Sequence, residues 1–149
     1  MAQTTNAISF AGAKVEVSTD GTTWTDISGF ATAVELGGGE RQTGTAFTFD
    51  GDTAIIRGGK REPLEVTVRV VYTEGASDPA ETVRAAYENG TDLYIRWSPK
   101  GGASGDALFT TDAAVVTTPP YPAGEAGSGD PVVIEFTALT PKVTRSTIV

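Results

Sequence analysis

The stretch PLEVTVRVVY, residues 63–72, carries the most regular pattern in the chain. Apolar side chains occupy every second position, and Glu65, Thr67 and Arg69 lie between them. Such alternation places the two sets on opposite faces of a strand, with the apolar set facing a core. Pro63 is tolerated because it stands at the first position of the strand. The stretch therefore predicts a central, half-buried β-strand.

A helix is predicted directly after this strand, over residues 77–89. Asp78 is suited to the N-cap position, Pro79 to the first helical position, and Glu81 completes the spacing of a capping box. Asn89 and the glycine after it supply a C-terminal stop. Further strands are indicated by alternation or β-propensity at residues 92–98, 107–111, 113–117 and 132–139.

The region before the central strand also has β character. Residues 13–18 alternate, the turn dipeptide Asp20-Gly21 follows, and residues 22–27 resume the pattern, which predicts a hairpin. Another strand is predicted over residues 30–36. Together these elements predict one mainly β domain over residues 1–149, an antiparallel β-sandwich or barrel with one α-helix.

Residues 37–62 form an unusually long connection for a compact domain. The segment contains seven Gly, many charged residues and two apolar islands, and we expect a small hairpin at its tip, turning at residues 50–52. A monomer gains little from apolar side chains on a long arm, whereas burial against a neighbour contributes about 1.5–3 kcal/mol for each. The sequence therefore predicts a subunit-interface loop, with these residues in contact: Phe47, Phe49, Ile55, Ile56, Lys60 and Arg61.

The two ends of the chain are interpreted as arms that serve the same assembly. Residues 1–11 are small and polar, with no secretory-signal pattern, and residues 141–149 follow the break at Pro141. No apolar run is long enough to span a membrane. The contact residues expected in the arms are Ile8, Phe10, Val143 and Ile148.

Several chemistries find little support in the composition. The chain has no Cys and no His, which removes disulfides, the usual zinc sites and His-dependent catalysis. A net charge of −8 disfavours grip on nucleic acid. Asp50 and Asp52 suggest a calcium loop only weakly, and residues 37–39 lack the ending of a phosphate-binding loop. We expect no cofactor and no enzymatic activity.

The sequence of the first hairpin, KVEVSTDGTTWTDISG over residues 14–29, resembles that of phage tail tube (major tail) proteins. The order of elements is similar to that family too: an early hairpin, a long Gly-rich loop, a long strand, one helix and more strands. The lone helix separates this pattern from Ig-like and fibronectin-like modules, which share the hairpin wording.

The resemblance implies a structural virion protein of a bacteriophage tail, made in the host cytoplasm. Six subunits would form a ring, and rings would stack through the long loop and the arms around a lumen that DNA crosses during ejection without specific binding. Implied partners are the protein itself and the tape measure, terminator and baseplate proteins. Alternation makes Glu65, Thr67 and Arg69 a candidate lumen face.

Other functions remain open from the sequence. An Ig-like or carbohydrate-binding surface module would use exposed aromatic residues and stay monomeric. An enzyme with a carboxylate pair would depend on groups such as Asp50 and Asp52. A baseplate or terminator ring of similar fold would stop at single rings.

Overall fold

A computed structural model describes all 149 residues of the chain. The strands fall where alternation or β-branched residues occur, and one helix follows the sixth strand. The strands are β1 (Lys14–Ser18), β2 (Thr25–Asp26), β3 (Ala31–Gly38), β4 (Arg41–Ala46), β5 (Ile55–Arg61), β6 (Leu64–Val71), β7 (Asp92–Ser98), β8 (Ala107–Thr111), β9 (Ala114–Val116), β10 (Val133–Thr140) and β11 (Val143–Thr147). The helix α1 spans Pro79–Asn89, and a 3₁₀ turn spans Phe10–Gly12.

Nine strands belong to one antiparallel sheet, and β4 and β5 form a separate two-stranded sheet. The main path runs β11-β8-β7-β9-β10-β6-β3, with β1 on the other edge of β7 and β2 beside β1. β8 and β9 pair with different halves of β7, so the sheet changes direction between these two strands. The sheet does not close into a barrel, because β3 and β11 end the path without pairing with each other. The predicted antiparallel β fold is therefore present as an open, bent sheet.

The core is a single apolar cluster enclosed by this bent sheet and the helix. Val66, Val68 and Val70 of β6 are fully buried, as the alternation predicts. On β10 the same pattern buries Ile134 and Phe136. The two strands pair along their whole length, from Val133 opposite Val71 to Thr140 opposite Leu64. This pair fixes which side chains point away from the core, and hence the faces available for assembly.

The helix begins two residues later than predicted and its cap differs. Asp78 is the N-cap residue, but its carboxylate accepts a hydrogen bond from the Gly75 amide at 3.0 Å, and no side-chain cap bond forms. The predicted capping box with Glu81 is therefore wrong. Gly90 ends the helix in the left-handed conformation at φ 65°, as the stop signal indicates. The helix packs beside β7 and β9.

The segments predicted as arms differ from each other. The N-terminal residues up to the 3₁₀ turn are exposed. The C-terminal segment is mostly the edge strand β11, paired with β8 over its full length, from Val143 opposite Thr111 to Thr147 opposite Ala107. No helix of the chain has both the length and the apolar character needed to cross a membrane.

Candidate assembly surface

The long connection between β3 and β6 is a β-ladder along most of its length. β4 and β5 pair only with each other, and the main chain bridges them to the body, with the Gly39 amide donating to the Pro63 carbonyl at 2.9 Å and the Glu62 amide to the Glu40 carbonyl at 2.8 Å. The hairpin was expected only at the tip. Instead β3, β4, β5 and β6 form one long hairpin, and we call residues 41–61 the projecting hairpin.

Two glycines bend this hairpin where it leaves the body. Gly38 and Gly39 have φ of 67° and 73°, a region that side chains other than glycine rarely enter. A Cβ atom on Gly38 would lie 2.6 Å from the Pro63 carbonyl oxygen, and one on Gly39 would lie 2.6 Å from a Leu64 methyl carbon. The backbone conformation favours glycine at both positions, and at Gly38 the contacted atom is main chain, which cannot rotate away as the Leu64 side chain can.

The projecting hairpin leaves its apolar side chains without partners. Every residue of β4 and β5 is exposed. Phe49 is fully exposed, and the exposed fraction is 74% for Phe47, 47% for Ile55 and 61% for Ile56. None of the four belongs to the core cluster or packs against it. Large apolar side chains gathered on one projection mark an interaction surface.

The projecting hairpin also concentrates positive charge. β4 and β5 hold Arg41, Arg57, Lys60 and Arg61 and no acidic residue. With Asp50 and Asp52 at its turn the projecting hairpin carries +2, while the remainder of the chain, with seven basic and seventeen acidic residues, carries −10. Only Arg41 is engaged across the ladder, where its guanidinium donates to the Gly59 carbonyl at 2.8 Å. The other three cations make no ion pair within the chain.

The predicted lumen residues lie on the outward face of β3, β6 and β10, which we call the outer face. Thr67 shares a hydrogen bond of 3.0 Å with Thr137, and the guanidinium of Arg69 donates to the Glu135 carboxylate at 2.7 Å. That hydrogen bond raises the pKa of Arg69 above its usual value. Glu65 makes no ion pair.

Two acidic members of the outer face were not predicted from the sequence. Glu35 and Glu135 face outward because their strands pair with β6, at Thr67 and Arg69 respectively. Their alternation was visible in the sequence, but the partner strands were not. With three Glu and one Arg, the outer face carries −2 in each copy.

The contact residues predicted in the two arms differ in exposure, as the arms themselves do. Ile8 and Phe10 are exposed near the N-terminus, and Val143 and Ile148 are partly buried. The Ile148 amide donates to the Asp106 carbonyl at 2.9 Å, which holds the end of the chain against its own body. The structure thus leaves only the N-terminal pair free of such main-chain anchoring.

Other polar groupings in the chain are structural. Asp50 and Asp52 bracket the turn of the projecting hairpin, and no group of three or more acidic side chains lies close enough to hold a metal ion. Glu16 on β1 is buried in a two-pronged ion pair with Arg96 at 3.0 and 3.1 Å. The Arg96 guanidinium also stacks 4.3 Å from the Trp24 ring centre.

Solved structures with a similar fold come from injection systems and phage-like particles. No known family and no curated sequence matches the chain. A chain of the PVC extracellular contractile injection system, in its extended sheath-tube complex, is 16% identical with a TM-score of 0.67 and covers 97% of this chain and 94% of its own. A chain from the tail of an empty GTA particle with C6 symmetry is 13% identical, TM-score 0.65, covering 99% and 100%. One from the anti-feeding prophage baseplate is 9% identical, TM-score 0.68, covering 99% of each. At these identities the likeness establishes the shared fold.

Proposed function

We propose that this protein is a structural subunit of a phage-like tail tube, which self-assembles into stacked rings of six around a channel for DNA. The observation that carries the proposal is the projecting hairpin, which presents four large apolar side chains and three unpaired cations away from its own body. The near-complete coverage of chains from tube-bearing particles supports it, as does the sixfold symmetry of two of those particles. The protein would reside in the virion tail.

The energetics require the hairpin to act with other surfaces. Four buried side chains contribute roughly 6–12 kcal/mol if each contributes about 1.5–3 kcal/mol. Association costs about 4–15 kcal/mol in lost translational and rotational freedom. The apolar contact alone therefore approximately balances that cost. The charge division between hairpin and body adds attraction between copies, and a ring multiplies the number of contacts that each copy makes.

The outer face is suited to line the channel. Arg69, which would attract phosphate if free, is neutralised by Glu135 at 2.7 Å. Each copy then presents two uncompensated carboxylates, from Glu35 and Glu65, and a ring of six would present about twelve. Carboxylates and threonines offer DNA phosphates no counter-charge, so a duplex would pass without adhering.

A second role in the same kind of particle has its own support. Chains from an anti-feeding prophage tube-terminating cap and from a PVC sheath/tube terminator match with TM-scores of 0.63 each, and a baseplate chain matches with 0.68. The alternative is a terminal or baseplate ring, which would share tail-protein partners with a tube subunit. The distinguishing property is growth, because a tube subunit forms filaments and a terminal ring stops at one layer.

Electron microscopy of the purified protein tests the proposal. We expect hollow filaments at high concentration. Because the Glu62 amide donates to the Glu40 carbonyl, residues 41–61 can be replaced by Asn-Gly, which closes a tight hairpin turn. This variant should remain folded by circular dichroism and sediment as a monomer.

The matched control keeps the hairpin and alters only polar tip residues, by Thr48→Ser and Thr53→Ser, and it should assemble as the unmodified chain does. Filaments of normal length from the shortened chain would contradict the role of the hairpin. An unmodified chain that remains monomeric at all concentrations and binds glycans would favour a surface-module function instead.

A further inference from the structure

An apolar groove lies between the N-terminal 3₁₀ turn and the first residues of β3. Seven of its nine lining residues are apolar, and its volume is about 160 Å³. An apolar cavity of about 150 Å³ is known to hold one benzene molecule. The groove is therefore large enough to receive one aromatic ring. It is lined chiefly by Phe10, Ala11, Ala13, Val15, Ala31 and Val34.

The groove stands at a free edge of the sheet. β3 pairs with β6 along one side only, and no strand pairs with its other side. The alanines at positions 11, 13 and 31 leave the space open, because larger side chains at these positions would fill it. Phe10 and Ala11 are themselves exposed. The groove is lined mainly by apolar residues, and the chain's own body does not cover it.

The projecting hairpin carries an aromatic ring of the right size and no partner. Phe49 is fully exposed, more so than any other aromatic residue in the chain. It does not fill the groove of its own copy, because Phe49 is fully exposed and β4 and β5 pair only with each other. An occupant from another copy removes both exposed surfaces at once.

We infer that the ring of Phe49 in one copy occupies the groove between the 3₁₀ turn and β3 of another copy. The inference rests on the proposed function and names the surface that receives the hairpin. It makes the contact heterologous, hairpin to groove, and such contacts propagate into rings or filaments.

Charges around the two surfaces are complementary. Arg57 directly follows the apolar pair Ile55 and Ile56. Beside the groove, its lining residue Ser28 donates from its amide and hydroxyl to the Asp26 carboxylate at 2.9 and 2.5 Å. The projecting hairpin carries a net charge of +2 and the remainder of the chain −10, which favours contact between the hairpin of one copy and the body of another.

Cross-linking in this cysteine-free chain tests the contact directly. Phe49→Cys and Ala11→Cys are made as separate variants, mixed, assembled and treated with a short bismaleimide. We expect covalent dimers that contain one copy of each variant. The matched control pairs Phe49→Cys with Ala85→Cys, an exposed alanine on the helix, and should give no such dimers. A second variant, Phe49→Ala, should raise the concentration needed for assembly about 10- to 100-fold.

The outcomes separate the inference from the function. Filaments in which Phe49→Cys links no better to Ala11→Cys than to Ala85→Cys would overturn the inference and leave the tube function standing. Filaments of Phe49→Ala that form at the unmodified concentration would overturn it as well. A chain that stays monomeric in every condition would overturn both proposals.

Discussion

Replacing Gly38 by alanine should destabilise the protein by changing a single atom group at the bend of the long hairpin. Gly38 has φ 67°, and its missing Cβ would lie 2.6 Å from the carbonyl oxygen of Pro63. The obstacle is main chain and cannot rotate away. Gly44 offers a matched control, because its φ is not positive and nothing lies within 4 Å of a Cβ built there.

The magnitude follows from two contributions. A left-handed conformation costs a non-glycine residue about 1–2 kcal/mol. Relieving the clash requires the Pro63 segment to shift, and part of this cost is offset because alanine restricts the unfolded chain, by about 0.4–1 kcal/mol. We expect a net loss of about 2 kcal/mol in the free energy of unfolding, or a fall of roughly 4–8 °C in Tm. Gly44→Ala should be neutral or slightly stabilising.

Chemical and thermal denaturation followed by circular dichroism measure both variants. In the proposed tube the same substitution should also impair filament growth, because the hairpin would leave the body in a different direction. Equal stability and equal assembly of Gly38→Ala and Gly44→Ala would refute the argument that the bend depends on glycine.

Three further predictions concern the body of the protein. Phe136→Ala should lower the free energy of unfolding by about 3–5 kcal/mol in denaturant titrations, since the ring is fully buried in the core; a smaller loss would show that the core collapses around the gap. Arg69→Ala should leave Tm nearly unchanged, because both partners of its ion pair are about half exposed, but should shift the outer face from −2 to −3 and weaken any DNA retention by filaments at low salt. Asp20 accepts hydrogen bonds from the Thr23 and Thr22 amides, which lower its pKa below the ordinary value. Its stabilising contribution is present above about pH 4 and is lost as pH falls toward its folded pKa. In Asp20→Asn, the free energy of unfolding should therefore decrease less steeply as the pH falls below about 4.

The strands of the core could be predicted because burial on one face produces an alternation of apolar and polar residues in the sequence. In β6 and β10 every second residue is apolar, and the structure places those residues in the core. The projecting hairpin shows no such alternation. All residues of its strands are exposed, so neither face requires apolar side chains and no alternation marks the strands. Its ladder was consequently predicted only at the tip.

Long-range pairing limited the rest of the prediction. The C-terminal segment was interpreted as an arm because its few residues alternate weakly, yet β11 is fixed by its ladder with β8, more than thirty residues earlier in the chain. Asp78 shows a local version of the same limit. Its spacing to Glu81 suits a capping box, but its carboxylate accepts from the Gly75 amide instead, because the turn before the helix brings that donor closer.

The long hairpin joins two properties that a tube subunit must coordinate. Its β3 and β6 segments carry Glu35 and Glu65 on the outer face, while its β4 and β5 segments carry the apolar and cationic residues proposed to contact other copies. Because one nearly continuous ladder connects them, a displacement of the hairpin is transmitted along hydrogen-bonded main chain to the strands that would line the channel. Gly38 and Gly39, with positive φ, lie at the junction of the two parts. The register of the proposed rings and the position of the carboxylates would then be fixed by the same backbone, and neither could change without the other.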